Sequence, residues 1–237
     1  MIRTRVPAEA RRDRVTRTYV TIRDRIVHGA LAPGARIVES EVMQRVGVSR
    51  TTVRAAMQRL QQEGFVTGTT AGGRARTMVT PITSADVIEL FEIVSALEGL
   101  AAEQAARLAD EPRALLVALL TDLNNEYGRL ASLGDDEDLL YDLDTRFHAT
   151  YVEAGAGPRI QAMHDAVKPQ AERYIRFHQT VLREQIETSV VEHTEIVARI
   201  EAADPAGSFE AVRTNWQNAA ARLSRAISQR GERGDDW

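Results

Sequence analysis

The sequence predicts a mainly α protein with two domains: three helices and a β-hairpin, followed by an all-α antiparallel bundle of six or seven helices. Three observations predict this fold. Apolar residues recur at helical spacing along most of the chain. Two β-prone runs flank a glycine-rich stretch between residues 65 and 79. After residue 84, short Gly- and Pro-containing breaks separate the amphipathic segments, which is typical of a helical bundle.

Composition and charge restrict the kinds of function that the protein can have. The chain has 237 residues, 43% of them hydrophobic and 27% charged, which is typical of a globular protein. It contains no cysteine, which excludes disulfides and thiolate metal sites. The sequence shows no secretory signal and no membrane-spanning run, so it predicts a cytoplasmic protein without a membrane partner. Residues 1–80 hold 15 arginines and 6 acidic residues, a balance of +9, whereas the remainder carries −13. This asymmetry predicts a polyanionic partner for the first part.

The N-terminal domain is predicted over residues 15–80, after a disordered Arg-rich tail of residues 1–14. An apolar stripe predicts a first helix over Val15–His28, formed by Val15, Tyr19, Ile22 and Ile26. Arg36-Ile37 is consistent with a short strand, and Glu39–Val46 forms a second helix.

The third helix follows a sharp turn. Gly47 suits the left-handed position after a helix, and Ser49 suits the N-cap of the next one. Val53, Met57 and Leu60 then form one buried stripe. The segment is therefore predicted to be the turn and second helix of a helix-turn-helix.

Polar residues in the first turns of this helix predict a nucleic-acid contact. Arg50, Thr51 and Arg54 lie on faces other than the apolar stripe. Basic side chains near a helix N-terminus oppose the macrodipole, and a bound phosphate or guanine would explain them. An ordinary amphipathic helix with a solvated Arg face is the alternative.

A β-hairpin is predicted next. Phe65-Val66-Thr67 and Thr77-Met78-Val79 are the strands, and residues 68–74 form a glycine-rich tip. Such a hairpin is the wing of a winged helix-turn-helix, and residues 81–83 form a linker.

The second domain is predicted over residues 84–230, with a disordered tail at 231–237. Pro169 is expected to kink or break the fourth helix. Ser189 with Glu192 forms a capping box, and Asp204 with Pro205 suits the start of the last helix. The apolar stripes place the helices at about 84–109, 115–134, 139–155, 160–178, 189–203 and 205–227.

Four polar side chains of the bundle share faces with apolar residues. Asp144 and His148 are four residues apart on one helix, and His193 and Asn215 lie on the apolar faces of two others. Polar groups that converge in an interior are costly unless they are satisfied. A divalent cation such as Zn, Ni or Mn would satisfy them. A hydrogen-bonded core pair without metal is the alternative.

Together these motifs resemble the GntR family of bacterial transcription regulators, in its FadR/FCD subfamily. The resemblance rests on Leu31–Ile37, Glu39 with Glu41, and the segment from Gly47 to Arg54. It implies a homodimer that binds a palindromic double-stranded DNA operator and responds to a small carboxylate metabolite. Carried over by position, the implied DNA contacts are Ser49, Arg50, Thr51, Arg54, Gly72 and Gly73.

The resemblance also bears on the effector. The metal-binding branch of the family uses an Asp-x₃-His pair and two further histidines, and Asn215 replaces the last of these here. In this family an arginine on the first helix of the effector domain often binds the effector. The corresponding residue in this chain is Val94. Arg173 and Arg176, in the region of the fourth bundle helix, are candidate contacts for an anionic effector, and a solvated face is the alternative for both.

Two other predictions complete the analysis. The rival function is a helical metalloenzyme that uses Asp144, His148 and His193 as ligands, but it leaves residues 15–79 without a purpose and offers no evident general base. The remaining histidines, His28, His164 and His178, are predicted to be surface residues.

Overall fold

The computed structural model describes residues 8–71, 74–133, 137–177 and 186–230, and these divide into two units between Ile82 and Thr83. The predicted mainly α fold, with its small antiparallel sheet, is confirmed. No helix among the described residues is long and apolar enough to cross a membrane. The helices are α1 (Ala8–Val27), α2 (Glu39–Val46), α3 (Arg50–Gln62), α4 (Ser84–Ala105), α5 (Asp110–Leu133), α6 (Glu137–Gly155), α7 (Pro158–Phe177), α8 (Ile186–Glu201) and α9 (Pro205–Arg230). The strands are β1 (Arg36–Ile37), β2 (Val66–Ala71) and β3 (Arg74–Val79).

In the first unit, α1 and α2 pack against α3, and the three strands are ordered β1-β3-β2. Its core contains the predicted stripe of α3 together with Phe65 and Val79. Of the predicted α1 stripe, Tyr19, Ile22 and Ile26 belong to this core, whereas Val15 is only partly buried. Helix α1 begins seven residues earlier than predicted, so the prediction of disorder is wrong for residues 8–14. The alanines, Glu9 and arginines of this segment are good helix formers, which explains the longer helix.

The predicted turn between α2 and α3 is confirmed in its backbone. Gly47 has a φ of 70° and donates its N–H to the carbonyl of Met43, so it closes α2 in the left-handed conformation. The Ser49 hydroxyl accepts the N–H of Thr52 at 3.3 Å and caps α3. Val38 precedes α2 without a side-chain cap. The ordered start of α3 therefore depends on Ser49.

Strands β2 and β3 form the predicted hairpin, in a register that runs from Val66 opposite Val79 to Ala71 opposite Arg74. Residues 68–71, predicted as part of the tip, belong to β2 instead. The tip residues Gly72 and Gly73 lie outside the described residues. In the predicted linker, Ile82 is buried and the Thr83 hydroxyl caps α4 by accepting the N–H of Asp86 at 3.2 Å.

In the second unit, α4 packs mainly along α9 and also contacts α6 and α7, while α5 packs against α6 and α8. One face of α5 is buried in this core through Leu116, Leu120 and Leu123. Each helix buries only one face, and four leucines of α4, α5 and α6 lie on exposed faces: Leu100, Leu115, Leu119 and Leu139.

Two helices of this unit differ in part from prediction. Of the two effects predicted for Pro169, a kink or a break, the break is wrong, because α7 continues through this residue. The buried Ala171 and Tyr174 that follow pack its second half on the core. Helix α8 begins at Ile186, three residues before the predicted cap at Ser189. The start of α9 is as predicted, since the Asp204 carboxylate accepts the N–H of Gly207 at 2.9 Å.

Helices α4 and α6 approach closely at Gly155, which gives a stability prediction. A Cβ at Gly155 would lie 2.0 Å from the carbonyl oxygen of Ala101. Because that atom is backbone, Gly155→Ala is expected to lower the free energy of unfolding by about 1–3 kcal/mol or more. Urea unfolding measures this change. Gly157→Ala is the matched control, since nothing lies within 4 Å of its Cβ position, and equal effects of the two substitutions would contradict the prediction.

Candidate nucleic-acid interface and candidate metal centre

The first turns of α3 present polar side chains outward. Ser49, Arg50, Thr51 and Arg54 are all exposed, whereas Val53 on the same helix is fully buried. The Ser49 hydroxyl also lies 2.9 Å from the Thr51 hydroxyl. The structure therefore places the four described residues of the predicted DNA contact at the exposed N-terminal end of α3.

Arg54 forms an ion pair with α2. Its Nε lies 3.2 Å from both carboxylate oxygens of Glu39, and the Arg54 side chain is 66% exposed. An exposed ion pair of this kind contributes at most about 1 kcal/mol. A DNA phosphate can therefore replace Glu39 at little cost.

In the second unit, the predicted cluster of Asp144, His148 and His193 is brought together by α6 and α8. One ligand atom from each residue lies within 4.8 Å of the others. The Nε2 atom of His193 is buried, lies 3.6 Å from Oδ1 of Asp144 and has no hydrogen-bond partner among the described residues. That separation is too long for a hydrogen bond.

The surroundings of His193 decide which of its nitrogens carries the proton. Its Nδ1 lies 3.2 Å from Oδ1 of Asn124. The amide nitrogen of Asn124 donates to the carbonyl of Val190 and to the hydroxyl of Thr194, so its oxygen is left to accept from His193. The proton then sits on Nδ1, and the unprotonated Nε2 faces the carboxylate of Asp144. Two acceptors that face each other in a buried site fit a cation between them.

Burial shifts the pKa of both groups. Burial lowers the pKa of His193 well below its usual range, and the charge of Arg222 acts in the same direction. Burial raises the pKa of Asp144, although His148 and Lys168 act in the opposite direction. The neutral imidazole is the form of histidine that binds a metal ion. The environment of His193 therefore favours the form that can act as a metal ligand.

Glu98 of α4 lies behind His148 and is fully buried. Its carboxylate accepts five hydrogen bonds, from His148 at 2.8 Å, Tyr151 at 2.6 Å, Trp216 at 2.8 Å, His164 at 3.0 Å and Lys168 at 2.7 Å. Burial alone would raise the pKa of Glu98, but the charge of Lys168 and the contacts of His148 hold that pKa well below its usual range. Glu98 is therefore an ionised carboxylate.

Sequence reasoning missed this network. His164 was predicted to be a surface residue, which is wrong because it is buried against Glu98; His28 is exposed as predicted, and His178 lies outside the described residues. A signal was available. Glu98 continues the helical stripe of Val87, Phe91 and Val94, so a carboxylate on a buried face could have been predicted from this spacing.

A cavity opens beside the cluster. Its wall combines aromatic and aliphatic side chains with a few polar groups, a composition that suits an organic ligand with a polar end. The lining residues used below are Asp144, His148, Asn215, Trp216 and Arg222.

The predicted fourth ligand, Asn215, lies in this wall but is engaged elsewhere. Its amide nitrogen donates to Glu192 at 2.8 Å. Glu192 also accepts from Asn218 at 2.8 Å and from Arg222 at 3.2 Å. Asn215 therefore helps to hold Glu192.

The predicted effector arginines do not line the cavity. Arg173 is buried, and burial lowers its pKa to about 10. The guanidinium of Arg176 lies 3.8 Å from the centre of the Tyr141 ring, and it pairs with Asp138 and Asp142. Arg222 lines the cavity instead, with 6% exposure and an Nε that has no hydrogen-bond partner among the described residues.

Comparison with known families identifies both units. Residues 14–74 match the bacterial regulatory proteins of the gntR family, and residues 89–218 match the FCD domain. The chain belongs to the GntR family. It is a transcription regulator with a C-terminal FCD domain, as the sequence predicted.

Relatives and solved structures agree with this assignment. The chain is 35% identical over 145 residues to an uncharacterised helix-turn-helix transcriptional regulator of Agrobacterium vitis, covering 60% of this chain and 81% of that one. It is 25% identical to the gluconate operon transcriptional repressor of Bacillus subtilis, covering 85% and 82%. Its fold is similar to that of a putative GntR regulator from Rhodococcus sp. RHA1, with 23% identity, a TM-score of 0.69 and coverage of 90% and 99%. The metalloenzyme alternative gains no support from these proteins.

Proposed function

We propose that the protein binds a palindromic DNA operator as a homodimer and represses transcription until a small organic acid binds its FCD domain. The observation that carries the DNA-binding role is the capped α3 helix, whose exposed Ser49, Arg50, Thr51 and Arg54 lie at its N-terminal end in a GntR unit. A recognition helix reads base edges with residues at this end. Repression is supported by the relative that controls the gluconate operon and by a probable D-xylose utilisation operon repressor of Paenarthrobacter nicotinovorans.

The same proposal includes a divalent cation, Zn, Ni or Mn, held by Asp144, His148 and His193. The unpartnered Nε2 of His193 opposite the Asp144 carboxylate supports it. A bound cation would supply positive charge for the carboxylate of an effector. Asn215, the predicted fourth ligand, has only its amide oxygen to offer a cation, because its amide nitrogen donates to Glu192.

Arg222 gives the cavity a cation from the chain itself. Its guanidinium reaches Glu192 only at 3.2 and 3.4 Å, and its Nε has no partner among the described residues. A carboxylate in the cavity would accept a short, charge-assisted hydrogen bond from this group. Arg222 therefore fits the role predicted for Arg173 and Arg176, which lie away from the cavity lining.

Operator selection tests the DNA-binding role. Purified protein is used to select duplexes from a random pool at a stated salt concentration, because affinity for DNA depends on salt. The expected result is a short palindrome bound by two copies of the chain. Binding that depends on salt but shows no sequence preference would reject the operator, and binding by one copy would reject the dimer.

Replacing Arg222 tests the effector. With wild-type protein, a panel of mono-, di- and tricarboxylates is expected to change operator affinity by about 5- to 150-fold for the acid that fits. Arg222→Met is expected to remove most of this response while leaving operator affinity without acid unchanged, as measured by fluorescence anisotropy. Arg213→Met is the matched control, because Arg213 lies on the same helix but is exposed and pairs with Glu210. A full response in Arg222→Met would reject the role of Arg222.

A further inference from the structure

Two residues outside the cluster of Asp144, His148 and His193 contact the Nδ1 atoms of its two imidazoles. Glu98 of α4 contacts Nδ1 of His148, and Asn124 of α5 contacts Nδ1 of His193. We propose that Glu98 and Asn124 are positioning residues that keep the proton of each imidazole on Nδ1, so that both Nε2 atoms are available to a metal ion. The proposal rests on the metal centre proposed above. It adds two residues that would not bind the metal ion themselves but act through the histidines that do.

Asn124 can only accept from His193. Its amide nitrogen lies 3.0 Å from the carbonyl of Val190 and 3.1 Å from the hydroxyl of Thr194, and both act as acceptors for it. The Thr194 hydroxyl donates its own proton to the same carbonyl at 2.8 Å. The orientation of the amide is therefore fixed, and its oxygen faces His193.

Glu98 can likewise only accept from His148. The oxygen that His148 contacts also accepts from the hydroxyl of Tyr151 and the indole N–H of Trp216. The second oxygen accepts from Lys168 at 2.7 Å. A carboxylate surrounded by donors carries no proton to give, so Nδ1 of His148 donates at 2.8 Å.

The ring packing keeps each imidazole in place. The ring of His193 stacks on Phe147 with centroids 4.0 Å apart, and the ring of His148 lies 5.2 Å from that of Trp216. With position and tautomer both fixed, the two imidazoles need no reorganisation to bind a cation. Loss of such an outer hydrogen bond usually costs 10- to 100-fold in metal affinity.

The tautomers can be measured directly in the metal-free, full-length protein. Long-range ¹H–¹⁵N correlation spectra of ¹⁵N-histidine-labelled protein distinguish a protonated from an unprotonated ring nitrogen. We expect His148 and His193 of the wild type to carry their proton on Nδ1. A proton on Nε2 of either residue in the folded protein would overturn the proposal for that residue, whatever the metal affinity.

Variants link the tautomers to metal binding. Asn124→Leu is expected to release the tautomer of His193 and to weaken Zn²⁺ binding by about 10- to 100-fold, whereas Asn124→Asp keeps an acceptor and is expected to retain the Nδ1 tautomer. Glu98→Leu removes the acceptor of His148 and is expected to affect this histidine as Asn124→Leu affects His193. His164→Gln is the matched control, because it removes a buried partner of Glu98 that lies on the other carboxylate oxygen.

Competition with a chelating dye gives the Zn²⁺ affinity, and spectra confirm that each variant is folded. Unchanged Zn²⁺ affinity in folded Asn124→Leu and Glu98→Leu would overturn the positioning role. If the wild type binds no Zn²⁺ while both tautomers are as expected, the metal centre proposed above fails and the tautomer assignment stands.

Discussion

Replacing Arg50 and Arg54 together with alanine is expected to lower specific operator affinity at least about 30-fold. Both side chains are exposed on the N-terminal turns of α3, and Ser49 caps this helix so that its start is ordered. A well-placed arginine contact to a base contributes about 1–3 kcal/mol of discrimination. Two such losses therefore give about 2–6 kcal/mol, which corresponds to the expected change. Fluorescence anisotropy with the selected duplex and a scrambled duplex measures it.

A control variant removes two positive charges from the second unit instead of from α3. Arg107 and Arg129 are exposed and pair with glutamates one helical turn away, Glu103 and Glu126. Arg107→Ala with Arg129→Ala is expected to leave specific affinity within about twofold, because neither residue belongs to the predicted recognition helix and exposed charges are screened by salt. An equal loss in both double variants would show that net charge, and not α3, determines binding.

Operator binding should also respond to the partner of Arg54. Glu39 holds the guanidinium of Arg54 in the free protein, at 3.2 Å from both oxygens. Such a pair orients the side chain along the surface of α2 and α3, and phosphate then competes with a carboxylate for the same group. The weakness of an exposed pair makes this exchange inexpensive.

Local signals in the sequence predicted the first unit well. Gly47, Ser49 and the stripe from Val53 to Leu60 each act within a few residues, and the structure shows the expected left-handed turn, cap and buried face. The hairpin could be predicted equally well, because β-prone runs on either side of a glycine-rich stretch are a local signal for two strands and a turn. Helix ends were less accurate, since α1 extends into residues with high helix propensity that carry no apolar stripe.

The site in the second unit was predicted only in part. Asp144, His148 and His193 come together as their helical faces suggested. The partners of Glu98 could not be predicted, because they come from α6, α7 and α9 and their meeting depends on tertiary packing. Arg222 was missed for the same reason. A buried arginine on a long amphipathic helix looks like a residue of the solvated face until its neighbours are known.

Removing the carboxylate of Asp144 is expected to abolish stabilisation of the protein by Zn²⁺. A ligand present at 100 times its Kd stabilises the folded state by about 2.7 kcal/mol. For a protein of this size that corresponds to a rise in Tm of about 5–10 °C. Asp144→Asn keeps the shape of the side chain but removes the charge that faces Nε2 of His193 at 3.6 Å. The Tm of this variant is therefore expected to stay unchanged on addition of Zn²⁺, as followed by calorimetry.

Asp142→Asn tests whether any carboxylate of α6 would produce the same result. Asp142 lies two residues from Asp144, is 63% exposed and pairs with Arg176, so it faces away from the cluster. We expect this variant to keep the full Zn²⁺ shift and to lose it again on addition of a chelator. A shift that persists in Asp144→Asn would mean that Zn²⁺ binds elsewhere, and the metal centre proposed on Asp144, His148 and His193 would be rejected.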